Sequence, residues 1–377
     1  MKKETQAIHA TNIVDETAGA IATPIFLSTT FARDADGRYP KGHMYSRNSN
    51  PNRDALEKGL AVLEGGAKAF AFGSGLAAVS AVFQCMKSGD HVLMPAVGYY
   101  ASMKLAEEIM GPWGLQMTQV DMEDLDAIKA AIQPNTKLIW VETPANPLLG
   151  ISDIQAICTL AHSHGIFVGV DNTIATPILQ NPIPLGADIV MHATTKYIGG
   201  HSDVLGGAII MREENDWSAR LKRVQILMGA TQNPLDCYLL ARGLKTLPLR
   251  MREHSASALT LAQKLEKHIA IEKVHYPGLI SHPQHELAKR QMPNGYSGMI
   301  SIQIKGDEAN ARKVASKLKL FQQATSLGGV ESLVEHRRSI EGPDSKTPGN
   351  LLRLSIGLEH VDDLWEDLNS CIILKKL

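Results

Sequence analysis

The sequence predicts an α/β protein: a large domain with a mainly parallel sheet, followed by a smaller α+β domain at the C-terminus. Three observations carry that expectation. Short apolar runs alternate with helical patterns through the first half of the chain. Two of those runs, 166–170 and 188–191, stop abruptly in polar residues. From about residue 212 the pattern turns helical and more charged, then mixes strands and helices. The predicted division is an arm at 1–52, a large domain at 53–235 and a C-terminal domain at 236–377.

A chain of 377 residues has room for both domains with ample core. A hydrophobic content of 44% fits an ordinary globular protein. The 38 basic residues nearly balance 39 acidic ones, leaving a net charge of −1. Nucleic-acid and membrane-surface roles call for a basic excess, so neither is expected. No apolar run approaches a membrane span, and the opening MKKETQAIHATN lacks the apolar core of a signal peptide. A soluble, cytoplasmic protein is expected. Cys85, Cys158, Cys237 and Cys371 lie far apart with no C-x-x-C pair, a pattern of reduced thiols. His282 and His285 can share a helix face but lack a third ligand, so no metal site is expected.

Residues 1–51 show little regular pattern and contain the run GHMYSRNSNPNR at 42–53. An arm of this kind lies over a partner surface or is partly disordered. Leu56, Leu60 and Leu63 predict a helix over 53–64, stopped by Gly65-Gly66. A strand at 68–72, the turn Gly73-Ser74-Gly75-Leu76 and a helix over 77–87 follow. A strand, glycine turn and helix start make an anion site, because free backbone N–H groups point outward and the helix dipole favours negative charge. Such turns also simply close connections. The full G-x-G-x-x-G fingerprint is missing, which disfavours a nicotinamide enzyme. The alternation continues with a strand at 91–94, a helix ending near 110, a strand at 115–120, a helix at 124–132, a strand at 137–143 and a helix at 153–164. Repeated strand–helix units argue for a parallel sheet covered on both faces.

The strand at 166–170 ends at Asp171, and the run at 188–191 leads to Lys196. In an open α/β sheet, ligands sit beyond the carboxyl ends of the strands. An acid and an amine delivered there suit pyridoxal phosphate (PLP): the amine to condense with its aldehyde, the acid to pair with its ring nitrogen. The competing readings are a turn-forming Asp and a solvated Lys. Thr195, next to the lysine, offers a hydroxyl for a phosphate. Beyond it the pattern predicts a long helix over 236–250, a strand at 298–304, a helix at 307–319, a strand at 351–356 and a helix at 361–370. Arg353 lies inside an otherwise apolar strand, where an unpaired charge would be costly.

The segments VDNTIATP and HATTKYIGGHSDVLGG resemble the cofactor segments of the Cys/Met-metabolism family of PLP enzymes. So do the Y-S-R run at 45–47, the turn E-T-P-A-N-P at 142–147, the loop S-L-G-G-V-E-S-L at 326–333 and the strand R-L-S-I-G at 353–357. The resemblance spans nearly the whole chain. It implies the aspartate-aminotransferase-like fold (fold type I), pyridoxal 5'-phosphate as cofactor, and a transsulfuration enzyme acting on sulfur amino acids. It implies Lys196 as the cofactor-bearing lysine and base, Asp171 as partner of the ring nitrogen, and Tyr99 as the residue that stacks on the ring and relays protons. Gly75, Leu76 and Thr195 are implied around the phosphate, Asn146 near the ring hydroxyl, Ser326 near the lysine, and Arg353 on the substrate α-carboxylate. Tyr45 and Arg47 are implied to reach from one subunit to the neighbour's phosphate, in a homodimer or homotetramer with shared active sites.

Leu327 follows Ser326 where the family's β-lyases carry a Trp, which favours the γ-acting members, cystathionine γ-synthase or γ-lyase. Cystathionine β-lyase and a catalytically poor PLP-binding homologue remain the alternatives. The departures are Asn52 for Thr, Tyr100 for Gly, Lys104 for Arg and Ala193 for Ser. Ala193 removes one phosphate hydroxyl, and Lys104 puts distal recognition in doubt. Arg337-Arg338 reads as a solvated pair.

Overall fold

Apolar runs placed end to end through helices assemble a seven-stranded sheet in the computed structural model, which describes residues 1–342 and 345–372. Its strands are β1 (Lys68–Phe72), β2 (His91–Pro95), β3 (Gln116–Val120), β4 (Thr136–Glu142), β5 (Phe167–Asp171), β6 (Ile189–His192) and β7 (Gly207–Met211). The order across the sheet is β1-β7-β6-β5-β4-β2-β3. Strands β2 to β6 run parallel. The inner strands are almost wholly buried, as continuous apolar runs in a two-sided sheet must be. Edge strand β3 exposes Gln116 and Gln119 instead, a polar rim that discourages pairing with another sheet.

Strand β7 was not among the expected elements. It runs antiparallel between β1 and β6. Periodicity says that GAIIM is buried but not which way it runs. Gly207 lets β7 pass directly under the turn at Ser74, since a Cβ there would collide with the Ser74 carbonyl.

The C-terminal region carries a second sheet: β8 (Ile271–His275), β9 (Met299–Ile304), β10 (Gln322–Gln323), β11 (Leu333–Glu335) and β12 (Leu351–Ser355), ordered β10-β11-β12-β9-β8. Register sets Glu335 opposite Arg353 across β11 and β12.

Local chemistry explains the helix ends. The helix Pro51–Glu64 starts with proline in its first turn behind Asn50, whose side chain accepts from Asn52 N–H. The helix Lys3–His9 was not expected; it packs on the long helix Pro234–Glu266, with Ala7 in the same core as Leu244. That long helix passes straight through Pro248 and runs well beyond the predicted end at residue 250. Its 33 residues extend about 50 Å. Leu240, Leu244, Leu247 and Met251 join the core of the large sheet. Ala258, Leu261 and Leu265 join the core of the second sheet. No described helix is long and apolar enough to cross a membrane.

Candidate active site

The carboxyl ends of β4, β5 and β6 converge on one cavity of about 220 Å³, closed on its far side by the second sheet. Gly75, Leu76, Tyr99, Asn146, Asp171, Thr195, Lys196, Ser326 and Arg353 all border it. Tyr45 and Arg47 do not. Arg47 donates to the Ile226 carbonyl at 2.9 Å and covers the ring of Tyr45, which is itself exposed.

Asp171 is the last residue of β5 and is buried, with the N–H of Thr173 on Oδ1 at 3.0 Å. Among the described residues no cation lies within ion-pair distance of it. Burial raises its pKa. Glu142 pairs with Asp171 across the strands and was missed by sequence reasoning. Burial first, and then the charge of Asp171, pushes its carboxyl up to about 8. It accepts the N–H of Tyr99 at 2.6 Å and of Asn146 at 2.8 Å. One carboxylate at a strand end therefore fixes two of the predicted site residues. Tyr99 stands half-exposed at the cavity, and partial burial raises its phenol pKa.

The helix Gly75–Phe83 opens on the cavity. Ser74 Oγ caps Ala77 N–H at 3.1 Å, which leaves the N–H groups of Gly75 and Leu76 without an acceptor among the described residues. A Cβ on Gly75 would lie 3.0 Å from the Cβ of Ala193, so the cradle is already tight. The Thr195 hydroxyl donates to the Gly206 carbonyl at 3.1 Å and accepts Gly206 N–H at 2.9 Å, so its proton is turned toward the backbone.

Lys196 Nζ donates to Ser326 Oγ at 2.6 Å. Burial first, and then the charge of Arg353, pushes this amine down to about 8. Ser326 has a left-handed backbone, φ 91, and its carbonyl accepts from Arg353 Nη2 at 2.9 Å. The following carbonyls, of Tyr197 and Ile198, take N–H groups of Arg250 from the long helix at 2.5 and 3.4 Å.

Arg353 is 4% exposed. It donates to Asn146 Oδ1 at 2.9 Å and to Glu335 Oε2 at 2.6 Å, and burial pushes its pKa down to about 10. Arg337 corrects the expectation of a solvated pair. It is 5% exposed and borders the cavity. Its Nη1 donates to Glu335 at 2.9 Å, and its Nε and Nη2 donate to Glu341 at 3.1 and 2.9 Å. The spacing Glu335-x-Arg337-x3-Glu341 carried that signal, because i,i+4 opposite charges meet on one helix face. Lys104 lies outside this cavity, tied to Glu107 and Glu108 at 3.2 Å each.

These groups fit PLP. A buried acid lacks a cation, an N–H cradle lacks an anion, and an amine between them is poised to lose its proton near neutrality. Among the described residues no group of three or more His, Cys, Asp or Glu is placed to hold a metal. Burial pushes the thiols of Cys85 and Cys158 up to about 12, away from nucleophilic use.

The family model for Cys/Met metabolism PLP-dependent enzymes matches residues 4–372. A cystathionine gamma-synthase of Mycobacterium tuberculosis is 46% identical over 374 residues, covering 98% of this chain and 96% of that one. A cystathionine beta-lyase of Coxiella burnetii is 41% identical over 378 residues, covering 98% and 97%. The crystal structure of metB from Corynebacterium glutamicum superposes with a TM-score of 0.96 at 42% identity, covering 99% and 98%.

Proposed function

The chain belongs to the Cys/Met metabolism PLP-dependent enzyme family, and from that premise we propose that it is a γ-acting transsulfuration enzyme, a cystathionine γ-synthase. It is a PLP-dependent enzyme of sulfur amino-acid metabolism. The observation that carries the γ-acting reading is Leu327, which stands where the family's β-lyases carry a Trp, next to the Ser326 whose Oγ accepts from Lys196 Nζ at 2.6 Å. Chemistry at a γ-carbon removes protons from two adjacent carbons, so the base must reach both. An amine held by one hydroxyl and depressed to about 8 suits that task. The higher identity to a γ-synthase than to a β-lyase points the same way.

Each residue then has a role. Bound in the cavity, PLP supplies an electron sink for the charge left when a proton leaves the substrate. Lys196 would hold the cofactor at rest; as a free amine it would take the α-proton, hand it to the cofactor, and so be neutral again to take a β-proton. Asp171 holds a proton at the ring nitrogen, its partner for an otherwise uncompensated buried charge. Gly75 and Leu76 donate backbone N–H groups to the phosphate. The Thr195 hydroxyl joins them once it turns from Gly206. Tyr99 covers the ring, and Asn146 serves both the ring hydroxyl and Arg353. Arg353 holds the substrate α-carboxylate, and Ser326 returns Lys196 to its starting place.

Among the described residues, the two Arg that border the cavity, Arg337 and Arg353, are held by Glu335, so neither is free for the phosphate cradle. Tyr45 and Arg47 of a second copy supply the missing cation in a homodimer or homotetramer. Residues 1–52 are the arm that does so, 53–235 the cofactor domain and 236–377 the C-terminal domain of a cytoplasmic enzyme.

The test is product identity with the PLP-loaded protein. An activated homoserine ester plus cysteine should give cystathionine, and Lys196→Ala should give none. Cystathionine alone yielding pyruvate and homocysteine would replace this reading with β-elimination. Yielding 2-oxobutyrate and cysteine, with no synthesis, would replace it with γ-lyase. The same assay across a dilution series should lose activity as subunits separate; an active monomer would rule out the shared site.

A further inference from the structure

On the reading that Arg353 holds the substrate α-carboxylate, its guanidinium meets a competitor. A guanidinium grips a carboxylate through one of two forks, and both forks use Nη2. Both Nη2 hydrogens are engaged, one by the Ser326 carbonyl at 2.9 Å and one by Glu335 Oε2 at 2.6 Å. A two-pronged grip requires one of them to let go. Ser326 also carries the hydroxyl that faces Lys196, so releasing its carbonyl disturbs the loop beside the reacting amine. Glu335 is the other choice.

Glu335 is 7% exposed and its pairing is lopsided. Oε2 accepts from both Arg353 and Arg337, while Oε1 is buried with no donor among the described residues. A buried carboxylate oxygen without a donor is costly. Turning toward Arg337 cures this. Arg337 spends one N–H on Glu335 and two on Glu341, which leaves one hydrogen on each terminal nitrogen. With Nε and one Nη2 hydrogen on Glu341, the other Nη2 hydrogen and one of Nη1 make the end-on fork, able to take both oxygens of Glu335.

We propose that Arg337 is a positioning residue for substrate recognition: it draws Glu335 off Arg353, so that the α-carboxylate of an amino-acid substrate takes the place of Glu335 on that guanidinium. One carboxylate leaves as another arrives. Arg353 is never left buried and unpaired, the state that costs most. Glu341 holds Arg337 in place from the side away from Glu335.

The experiment uses the PLP-loaded enzyme and two ligands that lack a leaving group. L-Norvaline carries the carboxylate; n-butylamine is its carboxylate-free counterpart. Binding is read from the change in the cofactor's visible absorption. Arg337→Leu should weaken norvaline about ten-fold, the usual worth of a hydrogen bond to a charged group, and leave n-butylamine unchanged. Adding Glu335→Gln to Arg337→Leu should restore norvaline binding, because the competing charge is gone. Unchanged norvaline affinity in Arg337→Leu overturns the proposal. So does a double variant that stays weak, since Arg337 would then touch the ligand itself. If Arg337→Leu fails to fold, Arg337→Lys keeps the charge without the fork and should weaken norvaline in the same direction. Arg353→Lys separates the two levels. If it leaves the preference for norvaline over n-butylamine intact, the carboxylate role of Arg353 falls and the proposal with it. If it abolishes the preference while Arg337→Leu changes nothing, the proposal alone falls.

Discussion

The two walls of the cavity manage charge in opposite ways. The wall built by the large sheet leaves its groups unmet: the N–H groups of Gly75 and Leu76 face no anion, and Asp171 is buried without a cation. The wall built by the second sheet is saturated in charge, though not in hydrogen bonds: Arg337 and Arg353 share Glu335, and Arg337 also holds Glu341. An unmet wall is completed by its ligand, so the complementary groups of the cofactor are written into it. A saturated wall admits a ligand only by exchange, so its affinity is a difference between two pairings. The first wall is suited to permanent tenancy, the second to turnover.

That contrast can be broken in three ways. The largest effect is expected from Asp171→Asn on the unmet wall. An amide cannot hold the positive charge on the ring nitrogen, and turnover should fall by about 10²–10³-fold, as when a preorganised electrostatic group is removed. KM for the amino acid, set at the other wall, should stay nearly constant; a raised KM at constant kcat would show that the walls are not independent. A smaller effect concerns the amine between them. Burial and Arg353 lower Lys196 from 10.5 to about 8, so the amine is charged below that pH and neutral above it. Apoprotein should recapture PLP at a rate that rises through about pH 8 and then levels. A rise delayed to pH 10.5 would mean that neither burial nor the charge of Arg353 acts on the lysine. The smallest effect is expected from Ala193→Ser, which adds a hydroxyl beside the cradle. One neutral hydrogen bond, about 1 kcal/mol, should slow cofactor loss about five-fold. An unchanged dissociation rate would show that the backbone cradle suffices.

The unmet wall was the legible one. Asp171 and Lys196 announce themselves because a charged residue at the end of a buried strand, or a few residues beyond it, breaks the pattern around it. The glycine turn before Gly75–Phe83 is readable for the same reason, as a local signal. The saturated wall is made of pairings between segments, and these were largely hidden. Arg353 stood out in its apolar strand, but its partner Glu335 is defined by the register of β11 against β12. Glu142 looked like part of a turn until the neighbouring strand placed Asp171 beside it. Arg337 was the readable miss: its acids lie two residues before it and four after it, and the i,i+4 spacing to Glu341 was on view. Among the elements, β7 and the helix Lys3–His9 escaped because their identity rests on what they pack against. The long helix was read as ending at 250 but continues to Glu266, since a helix packed into two cores tolerates the hydrogen bond lost at Pro248.

The long helix Pro234–Glu266 is anchored in both cores, and its Arg250 grasps the two carbonyls just after Lys196. The reactive amine thus takes its bearings from a beam that spans the molecule, not from the loop that happens to carry it. Survey errors in the loop are corrected against that datum, whereas an error in the beam shifts the lysine and the carboxylate-binding sheet together and leaves their spacing intact. The distance between the place where bonds change and the place where the substrate is held is therefore a dimension of the scaffold.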